Sequence, residues 1–241
     1  MKKILVAIAI FSVVACQHKE VNLTVSGNIK GLKKGKLFLQ KVVDTALVDI
    51  DSIDVYGDEN YTLEAYIKEP ELMFLYLDKI DGQRNDDVIS FFAESGMMTI
   101  NSKVDNFTQN AKITGSKNQE LLEEYTKMMR RFNDANLDLF KENFDAQKSG
   151  SEDSILAVEK KYENNLRRKY LYSVNFAIQH KDKEVAPFII LSEVFDANIK
   201  YLDTVYKSLD KNIQKSKYGK ELKDLIKEQK KLHKLDEKVS E

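Results

Sequence analysis

The chain has 241 residues, 38 Lys/Arg against 39 Asp/Glu, a formal net charge of −1, and 42% hydrophobic against 32% charged residues. That apolar content is enough to build a core and excludes a wholly disordered chain. The near-neutral balance excludes the strong basic excess of a nucleic-acid groove and gives no reason for adhesion to anionic membranes.

Lys2 and Lys3 precede an apolar run from Ile4 to Val14, followed by Val13-Val14-Ala15-Cys16. A basic start, a short apolar core and an aliphatic-aliphatic-small-cysteine tetrapeptide form the pattern of a bacterial lipoprotein signal. The run is 11 residues, too short for a bilayer core that takes about 20. The expectation is that residues 1–15 are a signal peptide and that Cys16 is lipidated at sulfur and becomes the new N-terminus. Residues 16–20 would then be a tether. Two or more acyl chains hold a protein to a membrane stably, whereas one holds it marginally. Cys16 is the one cysteine in the sequence. Its lipidation would leave no thiol for a disulfide, a CxxC pair, a cysteine nucleophile or a thiolate metal site.

Removing residues 1–15 leaves 226 residues, room for one large domain or two small ones. Charge divides along them. Residues 17–116 hold 11 Lys/Arg and 16 Asp/Glu, and residues 117–241 hold 25 and 23. The hydrophobic period changes at the same place, which sets an expected boundary between residues 21–115, a β domain, and 116–241, an α-helical domain.

From Val21 to Thr114, apolar residues alternate with polar ones in Leu23-x-Val25, Leu37-x-Leu39, Val48-x-Ile50, Leu63-x-Ala65-x-Ile67, Leu75-x-Leu77 and Met98-x-Ile100. Period two marks strands with one buried face. Glycines and acidic residues punctuate them at Gly31, Gly35, Gly57-Asp58, Asp81-Gly82, Gly96 and Asp105-Asn106. About seven short strands predict an antiparallel β-sandwich or open barrel, with Leu72–Leu77 as the central strand. A first strand starting about four residues after Cys16 would keep the sandwich within ~14 Å of the lipid headgroups.

At Ser116 the spacing becomes helical. Ser116-Lys117-Asn118-Gln119 has the form of a capping box, and Leu121, Tyr125, Met128, Phe132, Leu139 and Phe140 fall on one stripe. Gln147–Ser151 breaks the pattern. A second long helix is predicted from Glu152 to Lys181, with Ile155, Val158, Tyr162, Leu166, Tyr170, Val174 and Ala177 inward. Pro187 suits the first turn of a short helix whose Phe188-Ile189-Ile190-Leu191 lacks a polar face and belongs at the centre of the helical part. Asp203–Leu209 and Ser216–Lys238 are the last predicted helices. The fold class is therefore α+β, strands first and helices after.

Candidate sites are sparse. His18, His180 and His233 have no metal-ligand neighbours at helical spacing, and His180 is explained by a helix C-terminus. HExxH, GxSxG and phosphate-binding glycine loops are absent from the sequence. The loop Asp78–Asp87 is acidic but lacks the order of an EF-hand, so it reads as a hairpin loop. Asp49, Asp51 and Asp54 resemble the paired acids of a glycosidase, though acids two apart on a strand are usually its wet face. Arg130-Arg131 and Arg167-Arg168-Lys169 have acidic neighbours at Glu123, Glu124 and Glu163 and read as solvated ion-pair faces. Asn22, Asn60 and Asn106 each open an Asn-x-Thr triplet that in a bacterial lipoprotein is strand or turn sequence. The chain has 11 Tyr and 12 Phe but no Trp, which disfavours a carbohydrate platform. No catalytic residue, cofactor or metal is expected.

Several segments resemble a known family. Val25-Ser26-Gly27-Asn28-Ile29-Lys30-Gly31-Leu32 with Gly35-Lys36-Leu37-Phe38-Leu39, Asp51-Ser52-Ile53, Ile113-Thr114-Gly115-Ser116 and Tyr218-Gly219-Lys220-Glu221-Leu222 are similar to the uncharacterised N-terminal β domain and helical region of Bacteroidetes thiol–disulfide interchange lipoproteins, over about residues 20–225. Those longer proteins continue into a thioredoxin-like domain with CxxC. No cysteine follows Cys16 here, so the resemblance implies the scaffold and no redox residue. The function expected is a non-enzymatic lipoprotein at the outer membrane, periplasmic in preference to surface-exposed, that binds an envelope protein partner or a small ligand. An in-trans accessory to a thioredoxin-like system is the alternative, and an Asp/Glu-dependent hydrolase a weaker one.

Overall fold

A computed structural model describes residues 20–79 and 87–239, with the side chains described through Leu235. Eight strands come first: β1 (Leu23–Lys30), β2 (Lys34–Val43), β3 (Ala46–Tyr56), β4 (Asn60–Ala65), β5 (Glu71–Asp78), β6 (Val88–Ala93), β7 (Gly96–Lys103) and β8 (Lys112–Thr114). Helices follow: α1 (Lys117–Ser149), α2 (Glu152–Gln179), α3 (Val185–Glu193), α4 (Ile199–Ser208), α5 (Lys211–Lys215) and α6 (Lys217–Val239). The α+β reading holds, with two separate sheets and no closed barrel.

The sheets run β4-β1-β7-β8 and β3-β2-β5-β6. Strict alternation builds the layer between them. In β5 the residues alternate buried and half-buried, and Leu23, Val25, Leu37, Leu39, Leu63, Met73, Leu75, Phe91, Met98 and Ile100 close the core from both sides. β5 lies between β2 and β6, as the apolar run Leu72–Leu77 predicts.

Three expectations for the β part change. The sandwich is not purely antiparallel, because β1 inserts between β4 and β7 and pairs parallel with β7. β6 and β8 were not separable by pattern: Val-Ile-Ser-Phe-Phe-Ala is too apolar to alternate, and β8 has three residues. Val48 is not on a buried face. A bulge at Leu39/Gln40 shifts the β2–β3 register, and the projecting hairpin leaves Val42, Val43, Leu47 and Val48 exposed.

Ser116 caps α1 as predicted, accepting from the Gln119 N–H at 3.0 Å. Gly150, at φ 69°, ends α1 in the left-handed region, and Ser151 caps α2. α1 and α2 form a long antiparallel hairpin, joined at mid-length by Asn165, whose Nδ2 donates to the Phe132 carbonyl at 3.0 Å and to Asn136 Oδ1 at 2.6 Å. The inward stripes differ in part from prediction. Phe140, Tyr162 and Leu166 are exposed: Phe140 and Tyr162 because beyond Asn165 the hairpin has little to pack against except itself through Leu139, Ala146, Val158 and Ile155, and Leu166 because it borders an open groove with Tyr170 and Tyr201. α3 is buried at the centre of the helical part, as its sequence demands, with Ala186 and Ile190 in one core cluster and Val185 and Ile189 in another. The helix predicted at Asp203 begins four residues earlier, capped by Asn198. The five-residue α5 is too short to carry a helical period of its own.

Candidate functional site

The sandwich and the helices meet through a shared apolar cluster and two carboxylates. Phe92 of β6 packs with Leu121, Tyr125, Phe176, Ile189 and Tyr218, and its ring meets Phe188 edge-on at 5.5 Å. Glu94, just past β6, accepts from the backbone N–H groups of Lys117 (2.8 Å) and Asn118 (3.1 Å) at the start of α1. Glu69, just before β5, accepts from the Lys217 N–H at 2.9 Å at the start of α6. Each helix start is thus held by an anion from the sandwich, where orphan N–H groups and the helix dipole favour one. The Ser116 capping box is only half formed. Gln119 turns its Oε1 toward the Phe92 N–H (2.8 Å) and its Nε2 toward Glu123 (2.8 Å).

Beside Glu69, Lys217 Nζ and Lys41 Nζ both pair with the buried Glu71, at 3.0 and 3.2 Å, and the Leu72 N–H donates to the Tyr218 hydroxyl at 2.9 Å. Burial pushes the Tyr218 phenol well up from its usual range. Burial also raises Glu221, against the lowering effect of Lys217. Leu72, Phe74, Phe188 and Tyr218 wall a groove of about 620 Å³ with Lys217 and Glu221 at its rim.

A second groove of about 760 Å³ lies between β6, β8 and the first half of α1. It exists because the sandwich is open along this seam. β6 and β8 are each the last strand of their sheet, whereas at the other seam the Glu64 N–H of β4 donates to Asp51 of β3 at 2.8 Å. Lys112, Lys127 and Arg130 border this groove.

The sequence-marked residues fall apart in space. Cys16, His18 and residues 80–86 of the acidic loop lie outside the described residues. What remains of that loop is closed by a Lys79–Asp87 ion pair at 2.7 Å. Asp49 accepts from Gln40 (2.7 Å), Asp51 from the Ser52 and Glu64 N–H groups, and Asp54 lies 3.9 Å from Lys36. The three acids therefore tie strands together. His180 is the C-cap of α2 and packs on Phe176 at 4.4 Å. The ion-pair faces expected of the arginines do not form: Lys169 pairs with Glu193 at 3.3 Å, and Arg130, Arg131, Arg167 and Arg168 make no ion pair among the described residues. Instead Arg130 lines the groove at β6, and Arg167 lines a smaller one of about 220 Å³ with Leu166, Tyr170 and Tyr201.

Asn22 clamps the end of β4, exchanging hydrogen bonds with the Ile67 carbonyl and N–H at 2.7 and 2.9 Å. Asn106 adopts a positive φ in the turn after β7. Among the described residues, no group of three or more His, Cys, Asp or Glu is placed to hold a metal ion, and no helix is long and apolar enough to cross a membrane. Glu69 and Glu94 carry the seam but have no local signal, since each acts on a helix far along the chain.

No curated protein and no solved structure matches this chain. Residues 23–122 match the family model described as Domain of unknown function (DUF4369), a stretch that takes in all eight strands and ends in the turns of α1 that Glu94 caps.

Proposed function

We propose that the protein is a lipid-anchored lipoprotein of the bacterial envelope that works as a binding module, without a reaction of its own. The observation that carries the reading is the sequence Val13-Val14-Ala15-Cys16 behind Lys2, Lys3 and an apolar run. The β part with its helical appendage then sits at the outer membrane, on the periplasmic side. The two grooves, 620 Å³ beside β5 and 760 Å³ beside β6, are in the size range of ligand sites and lie where sheet and helices meet. The acids that sequence alone offers for hydrolysis are each engaged in holding strands, which supports binding over catalysis.

Fractionation and crosslinking test this. The native protein is expected in the membrane fraction after a carbonate wash, and Cys16→Ala in the soluble fraction. In-cell crosslinking of the native form should capture a partner that the Cys16→Ala form does not. Retention of Cys16→Ala in washed membranes would overturn the anchor. A captured thioredoxin-like protein would favour the accessory role in thiol–disulfide exchange that the family resemblance implies.

A further inference from the structure

The groove between β6, β8 and α1 contains an open strand edge. The Phe92 N–H points away from β5, toward Gln119, and the Val88 carbonyl does the same, accepting from the Thr108 hydroxyl at 2.7 Å. In an antiparallel pair the outward-pointing residues recur every second position. Ser90, opposite Phe74 in the register, therefore turns its N–H and C=O outward as well. Its neighbours on either side are capped by side chains. Ser90 is exposed, borders the groove, and has no partner for its outward N–H and C=O among the described residues.

The walls around that edge carry a net positive charge, three cations against the one carboxylate of Glu123. Lys112 at the end of β8 and Lys127 and Arg130 on α1 border the groove and make no ion pair among the described residues. The acid beside them, Glu123, accepts from the Gln119 amide at 2.8 Å and forms no ion pair with them. Ile113 and Leu122 supply a half-buried apolar floor. An open edge binds main chain, and unpaired cations select the charge of what it binds.

We propose that this groove takes an extended peptide segment bearing carboxylate side chains. Its main chain forms a two-hydrogen-bond bridge to Ser90, and its carboxylates meet Lys112, Lys127 and Arg130. The proposal rests on the binding-module reading and names its ligand class. The occupant is a strand because the site offers one N–H and one C=O in strand geometry, and it is acidic because three unpaired cations outnumber the one carboxylate, Glu123, in the groove.

The test is fluorescence anisotropy on the detergent-solubilised full-length protein with a labelled Glu-Val-Glu-Val-Glu peptide, its Lys-Val-Lys-Val-Lys counterpart serving as control. Saturable binding of the acidic peptide alone is expected, weakening as salt rises. Lys127→Ala with Arg130→Ala should weaken it about ten-fold or more. Ser90→Pro removes an outward N–H where an edge strand tolerates proline and should do the same, while Ser90→Ala leaves binding unchanged. Arg130→Glu, an exposed change on a helix, gives a second reading if Ser90→Pro fails to fold. Equal binding of the two peptides, no saturable binding, or indifference to the charge variants would overturn the proposal. A membrane-retained Cys16→Ala protein that still binds the acidic peptide would instead overturn the anchor and leave this site standing.

Discussion

Glu94 and Asn118 are joined twice. The Glu94 carboxylate accepts from the Asn118 backbone N–H at 3.1 Å and also from its side-chain amide. Asn118 is buried, and its Oδ1 accepts from the Val185 N–H at 2.8 Å, while its Nδ2 also reaches Glu184 at 3.2 Å. One side chain from the sandwich thus fixes the start of α1, and through Asn118 the start of α3.

Glu94→Ala removes the anion from two orphan N–H groups at a helix start. A cap is worth about 1 kcal/mol and a charge at the dipole up to about another, so a loss of ~1–2 kcal/mol in urea unfolding is expected. Glu94→Gln, which keeps an acceptor, should lose less. An unchanged midpoint in Glu94→Ala would mean that water replaces the carboxylate.

Asn118→Ala strands the buried Val185 N–H and should cost ~1–3 kcal/mol. Because Glu94 and Asn118 share one network, the double variant should lose less than the two single losses combined. A strictly additive cycle would show the two contacts to be independent.

What the sequence reveals here depends on whether the signal is local. Ser116 and the change of period at that residue mark α1 because a cap and a helical stripe are short-range features. The apolar Leu72–Leu77 marks an interior strand because both its neighbours are strands. Phe140, Tyr162 and Leu166 have the same spacing as core residues, yet they are exposed. Helical periodicity says which residues share a face, but only tertiary packing decides whether that face is covered. β6 hides in sequence for the opposite reason, being buried on both sides at Phe91 and Phe92. Glu94 and Glu69 act on helix starts 23 and 148 residues away, and the open edge at Ser90 depends on which strands end each sheet; no periodicity encodes either.

The tip of the helical hairpin offers a direct check on that point. Leu139 is buried and Phe140 is 70% exposed, though they are adjacent and both apolar. Leu139→Ala should destabilise by ~2 kcal/mol or more, as core truncations do. Phe140→Ser should shift stability by no more than ~0.5 kcal/mol. A large loss in Phe140→Ser would mean that its ring is covered in the protein in solution, which a concentration-dependent sedimentation profile would confirm.

Gly219 is in the first turn of α6, where the chain doubles back against α5. A Cβ there would overlap the Ile213 carbonyl oxygen and crowd Gln214 backbone atoms. Its own N–H donates to Ser216 Oγ at 3.3 Å. In an open helix Gly→Ala is stabilising by up to ~1 kcal/mol. Here backbone meets backbone and neither side can yield by a rotamer change, so Gly219→Ala should cost ~3 kcal/mol or more. Thermal unfolding separates the two signs cleanly.

Alkaline pH should unfold the protein through its tyrosines. Burial raises Tyr61, Tyr125 and Tyr218 well above the usual phenol range, and burial with the neighbouring Asp196 carboxylate pushes Tyr170 up to about 12. The Tyr61 hydroxyl donates to the Ile100 carbonyl at 2.8 Å, and the Tyr125 hydroxyl is bonded to Ser173 at 2.7 Å, so the neutral phenols are the forms the fold accommodates. In the unfolded chain the same groups titrate near pH 10. Above that pH the unfolded state releases protons that the folded state keeps, so the unfolded state is favoured increasingly as pH rises. The contribution is fully present below pH 10 and is lost above it as pH climbs toward the raised folded values. Urea midpoints measured from pH 8 to pH 11.5 should stay level with respect to these groups up to about pH 10 and then fall, with a slope of more than one proton. Tyr61→Phe should flatten that slope while lowering the neutral-pH unfolding free energy by about 1 kcal/mol for the lost hydrogen bond. A stability profile that stays level to pH 11.5 would mean that these phenols ionise in the folded protein as easily as in the unfolded one, and that the sandwich core admits water at Tyr61.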